Sequence, residues 1–205
     1  MKPKVKDISA EEKIKEAARK IFTKKGYAAT RTRDIAEEAG LNLALLNYYF
    51  RSKEKLFEIV MMENFLQFVA GIRVIVYDEE TSLDDKIEKI VSHYIDQLLN
   101  NPDLPLFVLN EMHNNPKIIK ANISKDIFFK SAFMKQLIEA LKKNGKQKIN
   151  PVHFIMNTFS MTIFPFVASP IIIGLGVLKE QEFKAEMEVR RKQIPLWIKA
   201  MIISK

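Results

Sequence analysis

The sequence contains no cysteine, and glycine and proline are scarce, at 6 and 8 of 205 residues. The lack of cysteine excludes a disulfide framework, a thiolate zinc site and a cysteine nucleophile. Because few glycines and prolines leave long stretches without turn signals, the composition favours helices over a fold of many short strands. Apolar residues at 47% and charged residues at 28% are typical of a soluble globular protein that can bury a core.

Sequence motifs of the common enzyme classes are also missing. There is no HExxH zinc motif, GxSxG elbow, GxGxxG turn or Walker loop. The three histidines are scattered, and Glu111 and His113 are two residues apart, so they do not share a helix face. We therefore predict no enzyme, no catalytic residue, no metal and no cofactor. An enzyme whose site is assembled from distant residues stays open as an alternative.

The formal net charge of +8 is unevenly spread along the chain. Residues 1–55 carry 14 Lys and Arg against 8 Asp and Glu, whereas residues 56–205 carry 19 against 17. This asymmetry predicts a polyanionic partner, which is either nucleic acid or a membrane surface; a merely soluble basic face is the other interpretation. The basic N-terminus is not followed by an apolar run, so we expect no secretory signal and a cytoplasmic location.

Helical periodicity runs through the whole chain and predicts an all-α fold. Ser9 with Glu12 predicts a capping box for a first helix over 9–25, which Gly26 would end. Cap residues and apolar spacing predict the other helices. Their expected ranges are 32–39, 44–50, 52–76, 82–98, 103–113, 116–121, 124–143, 150–167 and 180–203.

The segment 26–56 carries the clearest functional pattern. Two short helices are joined by a tight turn at Gly40, with Ile35 on the inner side of the first and Leu46 and Phe50 on that of the second. The second helix therefore displays polar and aromatic groups outward. A short, rigidly held helix of this kind is suited to the major groove of DNA, which indicates a helix-turn-helix.

This segment closely resembles the DNA-binding segment of the TetR family of bacterial repressors. The matching elements are Gly26-Tyr27, Thr30, Asp34-Ile35-Ala36, Ala39-Gly40, Leu46, Tyr49-Phe50 and Ser52-Lys53-Glu54 with Leu56. The resemblance implies a three-helix DNA-binding domain over residues 1–55. It also implies a helical-bundle domain for ligand binding and dimerisation over residues 56–205, which matches the family only in length and helical character.

The resemblance further implies which side chains contact a double-stranded DNA operator. They are Arg31, Thr32, Arg33, Asn42, Leu43, Ala44, Asn47, Tyr48, Tyr49 and Lys53. Asn42 or Asn47 suits adenine through its amide, and Lys53 is expected to face a phosphate. Both asparagines as plain surface or cap residues, and Tyr49 as partly core, stay open.

One departure from the family pattern concerns the start of the second helix. Arg31 stands where the family often has threonine. We therefore expect Thr30 or Thr32 to cap this helix and Arg31 to reach DNA.

A long uncharged run extends from Phe154 to Leu178. Its length suffices for a transmembrane helix, but polar residues and prolines interrupt it and we expect no comparable second segment. A helix that is apolar all round is more simply buried between helices or subunits, so we predict no membrane partner. Pro165 and Pro170 are expected to break or kink this helix.

The resemblance implies a homodimer, in which the helices 150–167 and 180–203 of two chains form a four-helix bundle. The expected seam residues are Phe159, Ile163, Ile194, Trp197, Ile198 and Met201. It also implies a ligand pocket among the central helices, for which polar groups in apolar surroundings are candidates. These are His93, Tyr94, Asn110, Glu111, His113 and Asn157. We hypothesise an apolar or amphipathic small molecule that releases a repressor from its operator.

Overall fold

The computed structural model describes residues 9–114, 116–123 and 126–203, with the backbone alone at residues 118, 119, 122, 127 and 128. These residues form helices and no strand, so the predicted all-α fold is confirmed. The helices are α1 (Ala10–Ala29), α2 (Thr32–Glu38), α3 (Leu43–Phe50), α4 (Lys53–Tyr77), α5 (Leu83–Asn100), α6 (Leu104–Asn114), α7 (Pro116–Asn122), α8 (Asp126–Phe129), α9 (Ala132–Lys143), α10 (Val152–Gly174) and α11 (Glu180–Ile203).

The chain divides into two compact units, and the division falls within α4, between Phe65 and Leu66. The domain boundary expected between residues 55 and 56 lies at the start of the same helix. The core of the N-terminal unit draws on α1 to α4. Its buried residues include Ile14, Ala18, Phe22, Ile35, Leu46, Phe50, Leu56 and Val60. Each large apolar side chain buried there stabilises the unit by about 2 kcal/mol.

Helix α1 begins as the sequence predicts and ends later. The hydroxyl of Ser9 accepts a hydrogen bond from the backbone N–H of Glu12 at 3.2 Å. Gly26 has φ 73° and ψ 165°, which interrupts the helical path, but one further turn carries α1 to Ala29. The hydroxyl of Thr30 closes that turn by donating to the carbonyl of Gly26 at 2.7 Å. The predicted end at residue 25 is therefore wrong.

The C-terminal unit has its core between α5, α9, α10 and α11. Its buried residues include Ile87, Val91, Ile95, Leu98, Leu137, Leu141, Phe154, Phe166, Phe183, Met187, Ile194 and Ile198. The first two residues of the predicted helix 124–143 lie outside the described residues. From Asp126 onward it consists of α8 and α9, because the hydroxyl of Ser131 caps a new helix by accepting from the N–H of Met134 at 3.2 Å.

Helix α10 runs to Gly174 through both of its prolines, so its predicted end near residue 167 is wrong. A proline lacks the N–H that would bond to the carbonyl four residues earlier. For Pro165 that carbonyl belongs to Met161. It instead accepts a hydrogen bond from the guanidinium Nη2 of Arg190 on α11, at 2.7 Å.

The second proline of α10 is compensated within the helix. Pro170 leaves the carbonyl of Phe166 without its usual N–H partner. The hydroxyl of Ser169 donates to that carbonyl at 2.8 Å. Side chains thus satisfy both carbonyls that the prolines orphan, and the helix continues.

Two helices, α4 and α10, are long and apolar enough to span a membrane by length and composition. The expectation of no second segment comparable to 154–178 is therefore wrong. Within the most apolar window, 39% of α4 is buried inside the chain, against 11% of α10. Core helices of soluble proteins share this length and composition. The low burial of α10 leaves an apolar surface that no described part of the single chain covers.

Candidate DNA-binding site

The turn between α2 and α3 is closed by a glycine cap. Gly40 has φ 67°, a conformation that favours glycine. Its N–H donates to the carbonyl of Glu37 at 3.0 Å, and the N–H of Leu41 donates to the carbonyl of Ala36 at 2.9 Å. This pair of bonds is the Schellman motif, which satisfies the last carbonyls of a helix. The motif fixes the direction in which the chain leaves α2 and enters α3.

Helix α3 starts at a side-chain cap. The side-chain oxygen of Asn42 accepts a hydrogen bond from the N–H of Leu45 at 2.8 Å. Asn42 is thus the N-cap residue of α3, the structural role that the sequence left open. Because its oxygen is used inside the protein, the bidentate pairing with adenine is not available to Asn42 while the cap is intact.

The outer side of α3 is exposed to solvent. Ala44, Asn47 and Tyr48 are exposed at spacings of three and four residues, opposite the buried Leu46 and Phe50. We define the reading face as the predicted contact residues that are exposed. They are Arg31, Arg33, Asn42, Ala44, Asn47, Tyr48 and Tyr49. The other three predicted contact residues, Thr32, Leu43 and Lys53, are half-buried.

Two tyrosines form the most exposed aromatic group of the reading face. Tyr48 is 78% exposed and Tyr49 is 41% exposed. Their ring centroids lie 5.3 Å apart at an interplanar angle of 83°. An exposed tyrosine offers both a hydroxyl for a phosphate oxygen and an apolar ring, so this pair suits a nucleic-acid surface.

The start of α2 is held by an acidic side chain. Asp34 accepts from the backbone N–H of Arg31 at 3.1 Å and from Nζ of Lys25 at 2.9 Å. The bond from Lys25, helped by that from Arg31, lowers the pKa of Asp34 below its ordinary value. The expectation that Thr30 or Thr32 caps α2 is wrong, because Arg31 occupies the cap position and Asp34 reaches back to it.

The arginines around the reading face carry unneutralised charge. Arg31, Arg33 and Arg51 form no ion pair with any residue in the described part of the chain. Other cations of the same unit are paired with carboxylates; these are Lys15, Arg19, Lys20, Lys25 and Lys55. Unpaired guanidinium groups are the ones able to bind phosphates without first breaking an internal bond.

Arg51 is a residue that the sequence did not single out. It follows α3 directly, is exposed and has φ 58°, in the positive region that side chains other than glycine rarely adopt. Its backbone N–H donates to the carbonyl of Asn47 at 3.0 Å. An arginine carries no sequence signal for positive φ, so periodicity and turn composition could not have found it.

Lys53 makes contacts inside the protein. Its ammonium donates to the carbonyl of Tyr27 at 2.9 Å and to that of Thr30 at 3.0 Å. The same nitrogen lies 4.2 Å from the centroid of the Tyr27 ring. These contacts favour a role within the fold over the predicted phosphate contact.

The six candidate ligand residues lie on three helices of the C-terminal unit. His93 is half-buried on α5, stacks on Phe68 and has its Nε2 3.1 Å from the carbonyl oxygen of Phe68. Tyr94 is buried against Phe68 and Phe159, and desolvation raises the pKa of its hydroxyl well above the ordinary value. Glu111 is half-buried. The exposed residues are Asn110, His113 and Asn157.

The six candidate dimer residues are divided between core and surface. Ile194 and Ile198 are 0% and 2% exposed and belong to the core of their own chain. They have no free surface for a second copy, so we leave them out of the interface proposed below. Trp197 is 40% exposed. The half-buried residues are Phe159, Ile163 and Met201.

The family model described as "Bacterial regulatory proteins, tetR family" matches residues 14–60, which contain α2, α3 and the start of α4. The chain is similar to the probable HTH-type transcriptional regulator YttP of Bacillus subtilis (strain 168), with 24% identity over 199 residues, 95% of this chain and 94% of that protein. It is also 35% identical over 85 residues, 40% of each chain, to the HTH-type transcriptional repressor NicS of Pseudomonas putida.

Solved structures share the fold. The TetR-family regulator PfmR from Thermus thermophilus aligns with a TM-score of 0.59 at 18% identity, over 96% of this chain and 97% of that one. The regulator FadR from Bacillus subtilis, solved in complex with stearoyl-CoA, aligns with a TM-score of 0.53 at 16% identity, over 89% of this chain and 96% of that one.

A capped pair of short helices with an exposed second helix, at the N-terminus of an all-α chain, defines a DNA-binding transcriptional regulator of the helix-turn-helix class. Within that class, residues 14–60 match the TetR family of bacterial regulators, and the whole chain shares the fold of a solved TetR-family structure.

Proposed function

We propose that this protein is a cytoplasmic, homodimeric repressor without catalytic activity, which binds its operator through the reading face and leaves it when a small molecule binds the C-terminal unit. The observation that carries the proposal is the exposed side of α3. The cap at Gly40 and the cap at Asn42 hold this helix, and unpaired arginines flank it. This arrangement supports groove recognition, in which a rigid helix meets the bases and cations meet the phosphates.

Within the reading face, we assign Asn47 to base recognition. Its amide is exposed at the centre of α3, and asparagine pairs with adenine through both amide groups. We assign Arg31, Arg33 and Tyr48 to the phosphate backbone. Ala44 and Leu43 suit apolar contact with thymine methyl groups. Tyr49 and Thr32 complete the proposed surface beside them.

The proposed homodimer rests on apolar residues that the single chain leaves exposed. On α10 these include Phe164 at 67% and Ile171 at 66%, and on α11 Leu196 at 62% and Ile203 at 66%. On α11, Val189, Leu196 and Ile203 recur every seven residues, a spacing that suits a helix-to-helix seam. A two-fold dimer also meets the need of helix-turn-helix proteins for two half-sites about 34 Å apart.

The proposed effector is an apolar or amphipathic molecule. The structural neighbour FadR of Bacillus subtilis was solved with stearoyl-CoA, and another neighbour is the fatty acid degradation regulator FadR of Bacillus halodurans. The C-terminal unit here offers aromatic side chains, Phe68 and Phe159, around the polar groups of His93 and Tyr94. The ligand would favour a dimer whose reading helices no longer match the operator spacing, so the operator is released.

The test of DNA recognition begins with selection of bound sequences from a random duplex pool by the purified protein. We expect one recurring two-fold sequence, whose affinity falls steeply as salt rises. Asn47→Ala should change the preferred base at one position of each half-site at a cost of about 1–3 kcal/mol. Asn100→Ala, an exposed asparagine at the end of α5, is the matched control and should leave the preference unchanged. Binding without any sequence preference, or tighter binding to anionic vesicles than to duplex DNA, would contradict the proposal.

The test of ligand release measures the affinity for the selected duplex with and without stearoyl-CoA, free fatty acid and other hydrophobic compounds. Coenzyme A without its acyl chain is the matched control. We expect the acyl compound to weaken DNA binding and the control to leave it unchanged. An affinity that no compound in a broad hydrophobic panel alters would rule out the proposed effector class.

A further inference from the structure

The ammonium of Lys53 is surrounded by groups of its own chain. The carbonyl oxygens of Tyr27 and Thr30 lie 2.9 Å and 3.0 Å from Nζ. The ring of Tyr27 covers the same nitrogen, with its centroid at 4.2 Å. An ammonium has three N–H donors. Two are used by carbonyl oxygens, and the aromatic face attracts the remaining positive charge.

The two carbonyls are at the end of α1, where that of Tyr27 also accepts the backbone N–H of Thr30 at 3.4 Å. Tyr27 belongs to the last turn of α1, after the interruption at Gly26, and Thr30 is the C-cap residue. Carbonyls at a helix C-terminus carry partial negative charge, which a lysine stabilises. Lys53 therefore supplies, from the first residue of α4, the cation that the last turn of α1 lacks in its own sequence.

The same contact ties together the segments on both sides of the helix-turn-helix. The end of α1 precedes α2, and Lys53 follows α3 by three residues. The ring of Tyr27 also packs on Phe57 of α4, with centroids 4.6 Å apart, so the clamp has an apolar part beside the charged one. A bond that joins the entry and the exit of α2–α3 limits how far these two helices can tilt as a pair.

We propose that Lys53 is a positioning residue: its ammonium clamps the start of α4 to the end of α1 and so holds α2 and α3 in the orientation that DNA requires. This inference rests on the DNA-binding role of the chain and departs from the phosphate contact that the family resemblance implies. A phosphate ligand and an internal clamp make different predictions for the dependence of DNA affinity on salt. Each phosphate contact contributes about one unit to the slope of log affinity against log salt.

The experiment measures binding to the selected duplex, and to a random-sequence duplex of equal length, between low and high salt. The variants are Lys53→Met, which keeps the alkyl chain and removes the charge, and Lys53→Arg, which keeps both charge and donors. Arg33→Met is the matched control, because Arg33 is an exposed cation of the reading face without an ion pair among the described residues. Circular dichroism and thermal unfolding establish that each variant is folded at the temperature of the assay.

We expect Lys53→Met to weaken binding to the selected duplex by about tenfold, which is 1.4 kcal/mol, with the salt slope of the wild-type protein. Lys53→Arg should recover most of that affinity, and Arg33→Met should lower the slope by about one unit.

A slope lowered by Lys53→Met as much as by Arg33→Met would overturn the proposal in favour of a phosphate contact. Unchanged affinity in folded Lys53→Met would overturn it too. If Lys53→Met does not fold, the slope of Lys53→Gln decides between the same outcomes. Wild-type protein that fails to bind either duplex would instead contradict the proposed function.

Discussion

Glu63 of α4 holds two cations of α1 within the N-terminal unit. Its carboxylate accepts from Nζ of Lys15 at 2.8 Å and also bonds to the guanidinium of Arg19. Partial burial raises the pKa of Glu63, but the bonds from Lys15 and then Arg19 outweigh it, so the pKa lies below its ordinary value. The ionised carboxylate is thus favoured in the folded state and stabilises the contact between α1 and α4.

We expect Glu63→Gln to lower the stability of the N-terminal unit by about 1 kcal/mol, because the group is partly exposed, Arg19 loses its carboxylate and Lys15 keeps only Glu12. Thermal unfolding at neutral pH measures the loss. Glu58→Gln is the matched control, since Glu58 of α4 pairs with the exposed Lys55 one turn along the same helix. Equal effects of the two variants would show that the contact between α1 and α4 contributes nothing beyond an ordinary surface pair.

The same carboxylate predicts a pH dependence with a definite sign. Because the folded-state pKa of Glu63 is lowered, its contribution is fully present above the unfolded-state pKa and is lost as the pH falls through the folded-state pKa. The wild-type protein should therefore lose more stability between neutral and acidic pH than Glu63→Gln does. Parallel pH profiles for the two proteins would refute this assignment.

Individual residues were predictable from the sequence where the cause is local. The cap at Ser9 and the turn at Gly40 depend on a few adjacent residues, and both are present in the structure. Arg31 as the cap of α2 was not predictable, because Asp34 replaces the missing hydroxyl by bonding to the Arg31 N–H. The contacts of Lys53 join residues 23 and 26 positions apart, a separation that periodicity does not report.

Among the elements, α4 and α5 are joined by an aromatic contact that needs a glycine. His93 of α5 stacks on Phe68 of α4, with ring centroids 5.3 Å apart at an interplanar angle of 14°. A Cβ added at Gly71 would lie 2.6 Å from Nε2 of His93, too close for the ring to stay in place. Glycine at this position lets the imidazole lie against the backbone of α4.

We expect Gly71→Ala to destabilise the C-terminal unit by about 1–2 kcal/mol, since the cost of overpacking exceeds the gain in helix propensity. In a His93→Ala background the same substitution should stabilise by about 1 kcal/mol, because the ring is gone and only the propensity remains. Denaturant unfolding of the four proteins of this double-mutant cycle measures the coupling.

Gly174→Ala is the matched control for this cycle. Gly174 is the last residue of α10, and a Cβ added there meets nothing within 4 Å. Gly174→Ala should leave the stability of the protein unchanged or raise it slightly in both backgrounds. If Gly71→Ala behaves in the wild-type background as Gly174→Ala does, His93 does not occupy the space beside Gly71.

Helix α10 shows why some elements exceed their predicted bounds. A proline inside a helix is a sound sequence signal for a break, because it removes one backbone bond. That signal fails here because Arg190 of α11 bonds to the orphaned carbonyl of Met161, 29 positions away in sequence. Ser169 performs the same task for Phe166. Tertiary compensation of this kind is visible only once the helices are packed.

For the whole molecule, the sequence predicted the fold class, because the helical period and the scarcity of turn residues are properties of the entire chain. It predicted the DNA-binding segment because many matching residues recur there at fixed spacing. The dimer residues were harder to choose. Helix α11 carries apolar residues on two sides, and periodicity alone does not tell which side, that of Ile194 or that of Leu196, belongs to the chain's own core.

The exposed apolar side of α11 gives the prediction that tests the whole assembly. Leu196 is 62% exposed in the single chain, so Leu196→Glu should leave the fold intact and place a charge within the proposed seam. We expect sedimentation to give a 23.8 kDa monomer, and the affinity for a two-fold operator to fall by about a hundredfold or more, because two linked half-site contacts become one. Val74→Glu, at a 75% exposed residue of α4, is the matched control and should remain dimeric.

Dimers that persist in Leu196→Glu at the wild-type affinity would show that the interface does not include this side of α11. Monomers that still bind the full operator tightly would instead show that one reading face suffices.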